Sequence, residues 1–387
     1  MTNPAAPGIL TRPFLLVSLA SLAYFVADGT SLALVARFAT GPLHADAFGA
    51  GVTYGAFSLS ALVLRPLAGR LSDRIGRRPL MVGGSLLFGA AMLAHLLAGS
   101  LLILVGLRLM LGVAEAFVFV AAFAAEADLA PPERRGEALT LFSLSLYAGI
   151  AVGPLIGEAA FGAGGFAAVW VASAILAGIA ALVALAVPET RPVADPGAAR
   201  SGRLLHPAGL LPGLILMTGV WGMGGYFTLV PPYAVGPLGL DGARLFLVSF
   251  GCTVIVARLL GARLPDRIGA RRLSGSALLV TAAGLGLMGV LPTVTGLFAG
   301  TLLLGLGVAF TTPSLASLAV SRAPAAERGA ALGTFSAFID LAFGAGPIAM
   351  GAVAAASTTP IAFVSGSAVA LAGAAILWRW LRDAARA

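Results

Sequence analysis

Apolar runs about as long as a bilayer is thick alternate with short polar breaks along the whole chain. A helix needs about 20 mostly apolar residues to cross the hydrocarbon core. On that rule twelve runs fall at roughly 13–36, 49–68, 79–98, 101–125, 137–161, 166–187, 209–233, 244–263, 273–291, 295–320, 330–354 and 360–381. The pattern predicts an all-α membrane protein with 12 transmembrane helices. The breaks alternate in character: those after even-numbered runs are rich in Arg, and those after odd-numbered runs are short and nearly uncharged.

The densest polar break, GRLSDRIGRRPL (Gly69 to Leu80), has a second copy, ARLPDRIGARRL (Ala262 to Leu273). One constant offset of 193 residues sets Arg65 on Arg258, Asp73 on Asp266, Gly112 on Gly305, Phe142 on Phe335 and Gly153-Pro154 on Gly346-Pro347. The chain therefore reads as a duplicated half. Two pseudo-symmetric six-helix bundles, residues 1–187 and 209–387, are joined by a Pro-, Gly- and Arg-rich linker at 188–208.

Composition agrees with this. The chain is 59% hydrophobic and 10% charged, against roughly 25% charge in soluble domains. All 24 basic residues are Arg, and the net charge is +8. The Arg residues sit in short loops, which argues for membrane topology and against nucleic acid as a partner. Between the runs, one side holds only Arg37 and Arg244, so the positive-inside rule predicts both termini in the cytoplasm of a cell inner membrane. The first run lacks a small-residue cleavage pattern and is expected to be a retained helix. A single cysteine, Cys252, excludes an internal disulfide and a cysteine metal site. His44, His95 and His206 are scattered, and there is no phosphate-binding GxxxxGK[ST] and no HExxH. No enzyme activity, metal or cofactor is expected, only a proton gradient. With no Gln and only Asn3, a sugar site built from side-chain amides is ruled out. The expected partners are the lipid bilayer and a small-molecule substrate, and nothing demands more than a monomer.

Ionisable groups inside a membrane are costly and mark function. Asp28, Glu115, Glu158 and Asp340 lie well inside apolar runs, as do Arg108 and His95. Asp28, Arg108, Glu115 and Asp340 are candidates for proton coupling. Asp340 has no acidic counterpart in the first half, where Tyr147 stands at its equivalent position. Glu158 and His95 lie near the outer boundary, where solvation of the first and packing of the second suffice. Tyr24, Asp28, Phe119, Trp221, Tyr226, Phe338 and Asp340 are candidate substrate contacts, suited to a lipophilic and conceivably cationic compound.

Two six-helix repeats joined by a linker resemble the major facilitator superfamily. The family's loop signature falls on Gly69, Leu71, Asp73, Arg74, Gly76, Arg77 and Arg78. The resemblance implies a conformational latch. Asp73 would face the positive N-terminal end of the eleventh helix, near Ala330, while the paired Arg residues hold Glu126 and Asp128 of the fourth. The plain alternative is that these Arg residues only enforce topology. LRLMLGVAEA (Leu107 to Ala116) is similar to the family's fourth helix, where an Arg and a Gly match Arg108 and Gly112. That Arg is associated with proton coupling; a structural pair with Asp28 is the equal alternative. YAGIAVGPLIGEA (Tyr147 to Ala159) resembles the motif of the 12-helix drug:proton antiporter group at Gly149, Gly153, Pro154 and Gly157, with Glu158 departing from a position where Gly is common. The resemblance implies a secondary active transporter: proton-coupled efflux of drug-like or secondary-metabolite molecules by alternating access. The alternative is a symporter or facilitator for a small organic acid, amino-acid-like or metal-chelating metabolite, with Arg108 on a carboxylate.

Overall fold

In hydrocarbon every backbone N–H and C=O must be satisfied within the chain, so long apolar runs become helices. The computed structural model describes residues 10–131, 135–191, 205–261, 264–324 and 327–383, without the side chains of 135–141, 265, 266, 328–330 and 381–383. Among the described residues all regular structure is helical. Ten stretches are long and apolar enough to cross a membrane. One of them, Phe142–Leu185, is two helices: the chain leaves helical geometry at Gly164 and at Gly165, whose φ is 63°. Arg244–Leu260, with 17 residues, is a further helix of nearly that length. With these two adjustments the described residues supply twelve long helical segments.

They are α1 (Arg12–Thr40), α2 (Ala47–Ile75), α3 (Arg77–Leu97), α4 (Leu101–Leu129), α5 (135–163), α6 (166–185), α7 (Pro207–Val235), α8 (Arg244–Leu260), α9 (Ala270–Val290), α10 (Val294–Val320), α11 (Arg328–Ala356) and α12 (Thr359–Asp383). Side-chain caps fix several starts. Asp46 Oδ1 accepts from Gly49 N at 2.8 Å, and Ser100 and Thr293 cap α4 and α10 in the same way. The eighth run ends earlier than the sequence suggests. The helix stops at Leu260, and a separate turn follows at Leu264–Ile268. Most of the expected linker, residues 192–204, lies outside the described residues.

In the first half α1 packs closely on α5, and in the second α7 packs on α11 and α9 on α10. The small residues at four-residue spacing are what permit this. A Cβ at Gly149 would strike Phe25, one at Gly153 would strike the backbone of Gly29, and one at Gly157 would strike Thr30. Across the halves α2 packs on α11 and α5 on α8. Gly51 and Gly55 lie against the backbone of Pro347 and Gly344, and Gly251 lies against Ala151. These contacts are on the face away from the Arg-rich loops, and they bring the two halves together there.

Candidate functional site

Between the halves lies a cavity of about 270 Å³. Its wall is largely aromatic, with Phe25, Phe57, Phe119, Phe142, Phe227 and Phe343. All four candidate proton-coupling residues line it: Asp28 from α1, Arg108 and Glu115 from α4, and Asp340 from α11. Asp340 is paired. Arg65 of α2 meets it with Nε to Oδ2 at 2.6 Å and Nη2 to Oδ1 at 2.9 Å. The Arg65 guanidinium also lies 4.3 Å over the Phe119 ring, so this bond between the halves is clamped from one side.

Arg108 behaves differently. Its Nε donates to Thr53 O at 3.3 Å, and the guanidinium sits 4.7 Å over the Phe57 ring. Among the described residues no carboxylate comes within 4.0 Å of it, so the expected structural pair with Asp28 is not closed here. Asp28 and Glu115 likewise make no ion pair among the described residues, although they share the cavity wall with Arg108. Charges removed from water and left without a partner cost several kcal/mol. Their retention facing a cavity points to a species that enters it.

Four candidate substrate contacts sit elsewhere. Tyr24 is fully buried against Phe88, ring centroids 5.0 Å apart. Tyr226 is fully buried, and its hydroxyl accepts from Thr301 Oγ1 at 3.1 Å. Trp221 packs its backbone on Gly346, and the Phe338 ring fills the space over Gly213. None of the four reaches the cavity wall, because the glycines of α7 let neighbours pack onto that helix. Asp28, Phe119 and Asp340 do line it.

The loop cluster forms a network at the Arg-rich face. Gly76 has φ 113°, which reverses the chain into α3. Arg77 Nη1 donates to Asp73 Oδ1 at 2.8 Å and Nε to Asp128 Oδ2 at 3.2 Å. Asp128 therefore meets Arg77, one of the paired Arg residues. Glu126 does not: it is fully buried and accepts from Ser18 Oγ at 2.8 Å, because its place on α4 turns it toward α1. Helix α11 begins at Arg328, and the side chain of Ala330, expected opposite Asp73, lies outside the described residues. Gly69 has open space where a Cβ would sit, so no close approach explains it. Arg74 O accepts from Arg191 Nη1.

Two functional contacts escaped the sequence reading. Glu189 accepts from Arg77 N at 2.8 Å and Arg78 N at 3.3 Å, capping the positive end of α3. Burial pushes its pKa up, but backbone N–H groups of Arg77, Arg191, Arg78 and Thr190 outweigh this and hold it below its ordinary value. Its sole sequence signal was an acid inside an Arg-rich linker. Glu158, expected in solvent, is buried. Its Oε1 accepts from Ala243 N at 2.7 Å and Arg244 N at 3.1 Å, and Arg244 Nη1 is 3.6 Å from Oε2. A carboxylate of α5 thus caps α8 across the halves, on the face opposite the loop cluster. His95 is buried, its Nδ1 at 2.8 Å from Ala91 O, packed against Trp170.

The sequence pattern of the Major Facilitator Superfamily matches residues 16–264 and 242–387. An uncharacterized MFS-type transporter of Salmonella typhimurium is 29% identical over 383 residues, covering 95% of this chain and 96% of the relative. Among solved structures, a bacterial homolog of the human lysosomal transporter Spinster, in an inward-facing and occupied conformation, superimposes with a TM-score of 0.79 at 14% identity, covering 95% of this chain and 96% of that one. The human organic anion transporter MFSD10 gives 0.73 at 20% identity, covering 96% and 100%. Both show the shared fold.

Proposed function

The chain belongs to the major facilitator superfamily and is a multi-pass membrane transporter rather than an enzyme; from that premise we propose that it is a proton-coupled secondary transporter exporting drug-like or secondary-metabolite molecules by alternating access. The observation that carries this reading is the set of carboxylates on the cavity wall. Among the described residues Asp28 and Glu115 lie without ion-pair partners beside an aromatic surface. In such a site proton and substrate act on one set of groups, which is what coupling requires. The glycine motif of α5, packed along α1, supports the direction of export. The two halves would rock about this midplane cavity, with contacts between α2 and α11 and between α5 and α8 exchanged on opposite faces. Both termini are taken to be cytoplasmic, the working unit is a monomer, and the proton gradient is the only energy source required.

The test is dye quenching in energised everted vesicles with a panel of lipophilic cations, zwitterions and acids, comparing wild type with Asp28→Asn, Glu115→Gln and Asp340→Asn. Substrate-induced proton release that disappears in one variant supports antiport and names the carrier. Absence of proton movement with every compound, alongside uptake of a labelled acid, supports the second reading: a symporter or facilitator for a small organic acid. The observation favouring that second reading is Arg108, a guanidinium on the wall with no carboxylate within 4.0 Å among the described residues.

A further inference from the structure

The offset of 193 residues that relates the halves also relates their interface contacts, and it breaks at one place. Arg65 and Arg258 are equivalent, and each reaches across to the opposite half. Arg65 finds Asp340 in a two-contact pair. The position equivalent to Asp340 is Tyr147, so Arg258 finds no acid there. Its Nη1 donates to Ser143 Oγ at 2.8 Å, its Nε to Ala309 O at 3.2 Å, and its Nη2 reaches the Tyr147 hydroxyl only at 3.5 Å. A guanidinium has five N–H donors in a planar fork, so two are left over. Among the described residues no carboxylate lies within 4.0 Å of Arg258.

The covering side chain differs too. Phe119 lies against Arg65 at 4.3 Å. Its equivalent is Thr312, a small hydroxyl-bearing residue that lines the cavity with Arg258. The second copy is therefore a cation held from behind by Ser143 and Ala309, its ring partner Tyr147 at 4.7 Å, with the flank toward the cavity left unblocked. The first copy is closed by a carboxylate and a phenyl ring.

We infer that Arg258, with Ser143, Tyr147 and Thr312 around it, is a binding site for the carboxylate of an amphipathic organic acid, which supplies the counter-charge that Asp340 supplies to Arg65. A guanidinium fork matches a carboxylate in two parallel bonds, and Arg is weakly hydrated enough to exchange water for such a partner. The aromatic wall takes the apolar body. The other charges on the wall are Asp28, Glu115, Arg108 and the Arg65–Asp340 pair. An anion is best tolerated beside Asp28 and Glu115 when these carry protons. The assignment therefore moves the balance toward the organic-acid reading, in which proton and substrate share the cavity. It rests on the transporter reading proposed above.

The experiment uses three dansyl probes with one body and different ends: dansylglycine, its neutral glycinamide, and dansyl-ethylenediamine. Binding to the purified full-length protein in detergent is read by fluorescence enhancement against detergent alone. Dansylglycine is expected to bind wild type at least tenfold more tightly than the amide or the amine. Arg258→Met is expected to remove that preference by weakening dansylglycine to the level of the amide, and Arg258→Lys to restore part of it. Because the probe series works on wild type, a variant that fails to fold does not decide the outcome. Equal binding of all three probes, preference for the amine, or no binding of dansylglycine would each overturn the site. Proton movement driven by the amine in vesicles, with no preference for the carboxylate, would overturn it while leaving the transporter reading intact. No proton movement and no transport of any probe would count against that reading itself.

Discussion

Arg65 of the first half and Asp340 of the second meet through two contacts, Nε to Oδ2 at 2.6 Å and Nη2 to Oδ1 at 2.9 Å, on the wall of the central cavity. The internal repeat places the same guanidinium again at Arg258 but a phenol, Tyr147, where the carboxylate would be. The duplication thus built a symmetric frame, and substitution at single positions gave the two interfaces different chemistry. All the other lining charges belong to the first half. Asp28, Arg108 and Glu115 are matched in the second by Trp221, Thr301 and Val308.

A coupled pair is testable by a double-mutant cycle. Asp340→Asn leaves Arg65 without its counter-charge, and Arg65→Gln leaves Asp340 alone; each is expected to lower thermal stability in detergent. The double variant is expected to lose less than the sum, with an interaction energy of about 0.5–3 kcal/mol. Strict additivity in the melting temperatures would show that the two contacts contribute nothing as a pair.

The glycines of α5 differ sharply in what surrounds them. Gly153 lies against the backbone of Gly29, whereas Gly106 of α4 has nothing within 4 Å of a built Cβ. Gly153→Ala is expected to cost about 1–3 kcal/mol through overpacking, seen as a lower melting temperature and a smaller monodisperse peak on size exclusion. Gly106→Ala is expected to be neutral or slightly stabilising. Equal behaviour of the two would remove close helix crossing as the reason for the motif.

Helix number, the repeat and the polar cluster were legible because hydropathy and spacing are local properties of a chain in lipid. Of the four coupling candidates, all line the cavity, since an ionisable residue in an apolar run has few places to go except inward. The aromatic candidates were less legible. Trp221 and Phe338 are on cavity-type helices, but which face each presents depends on how the glycines Gly213, Gly222, Gly224 and Gly225 let neighbours settle on α7. Glu189 was not singled out and Glu158 was misread because their partners are backbone N–H groups of distant segments, which leave no trace in a local pattern. Arg65 and Arg258 were visible as repeat positions, yet their unequal partners emerge only once α2 is set on α11 and α8 on α5.

The Glu189 cap gives a pH dependence with a definite sign. Its folded-state pKa is depressed, so the ionised carboxylate stabilises the α3 start at pH above the ordinary glutamate value. That contribution fades as pH falls through the lowered folded-state value. Glu189→Gln removes the titrating group. Wild type is expected to exceed the variant by about 0.5–1 kcal/mol at pH 7, the low end for a partly exposed cap. The two melting temperatures are expected to converge only as pH falls below the ordinary glutamate value of about 4.3 and through the lowered folded-state value. A difference that stays constant as pH falls from 7 through both values would show that charge on Glu189 plays no part.

Glu158 offers the sharpest test of how the two halves are held together on the face away from the loop cluster. Its carboxylate satisfies two N–H groups at the α8 start, Ala243 and Arg244, and it is the residue that departs from Gly in the α5 motif. Removing it leaves those donors buried without a partner, at a cost of about 1–3 kcal/mol to the closed arrangement. Opening restores them to water, so Glu158→Ala shifts the balance toward the state open on that face, outer in the proposed topology, by roughly five-fold or more. Ser31 lines the cavity and reports on this when changed to cysteine in a Cys252→Ser background. Labelling of that cysteine in intact cells by a membrane-impermeant maleimide is expected to run several-fold faster in Glu158→Ala. Glu158→Gln keeps the Oε1 acceptor that both N–H groups use but loses the charge and the Oε2 that faces Arg244, so it is expected to fall between. Identical labelling rates in all three would mean that the Gly-lined contacts of Gly51 and Gly55 with α11 close this face unaided, and that Glu158 is a passive cap.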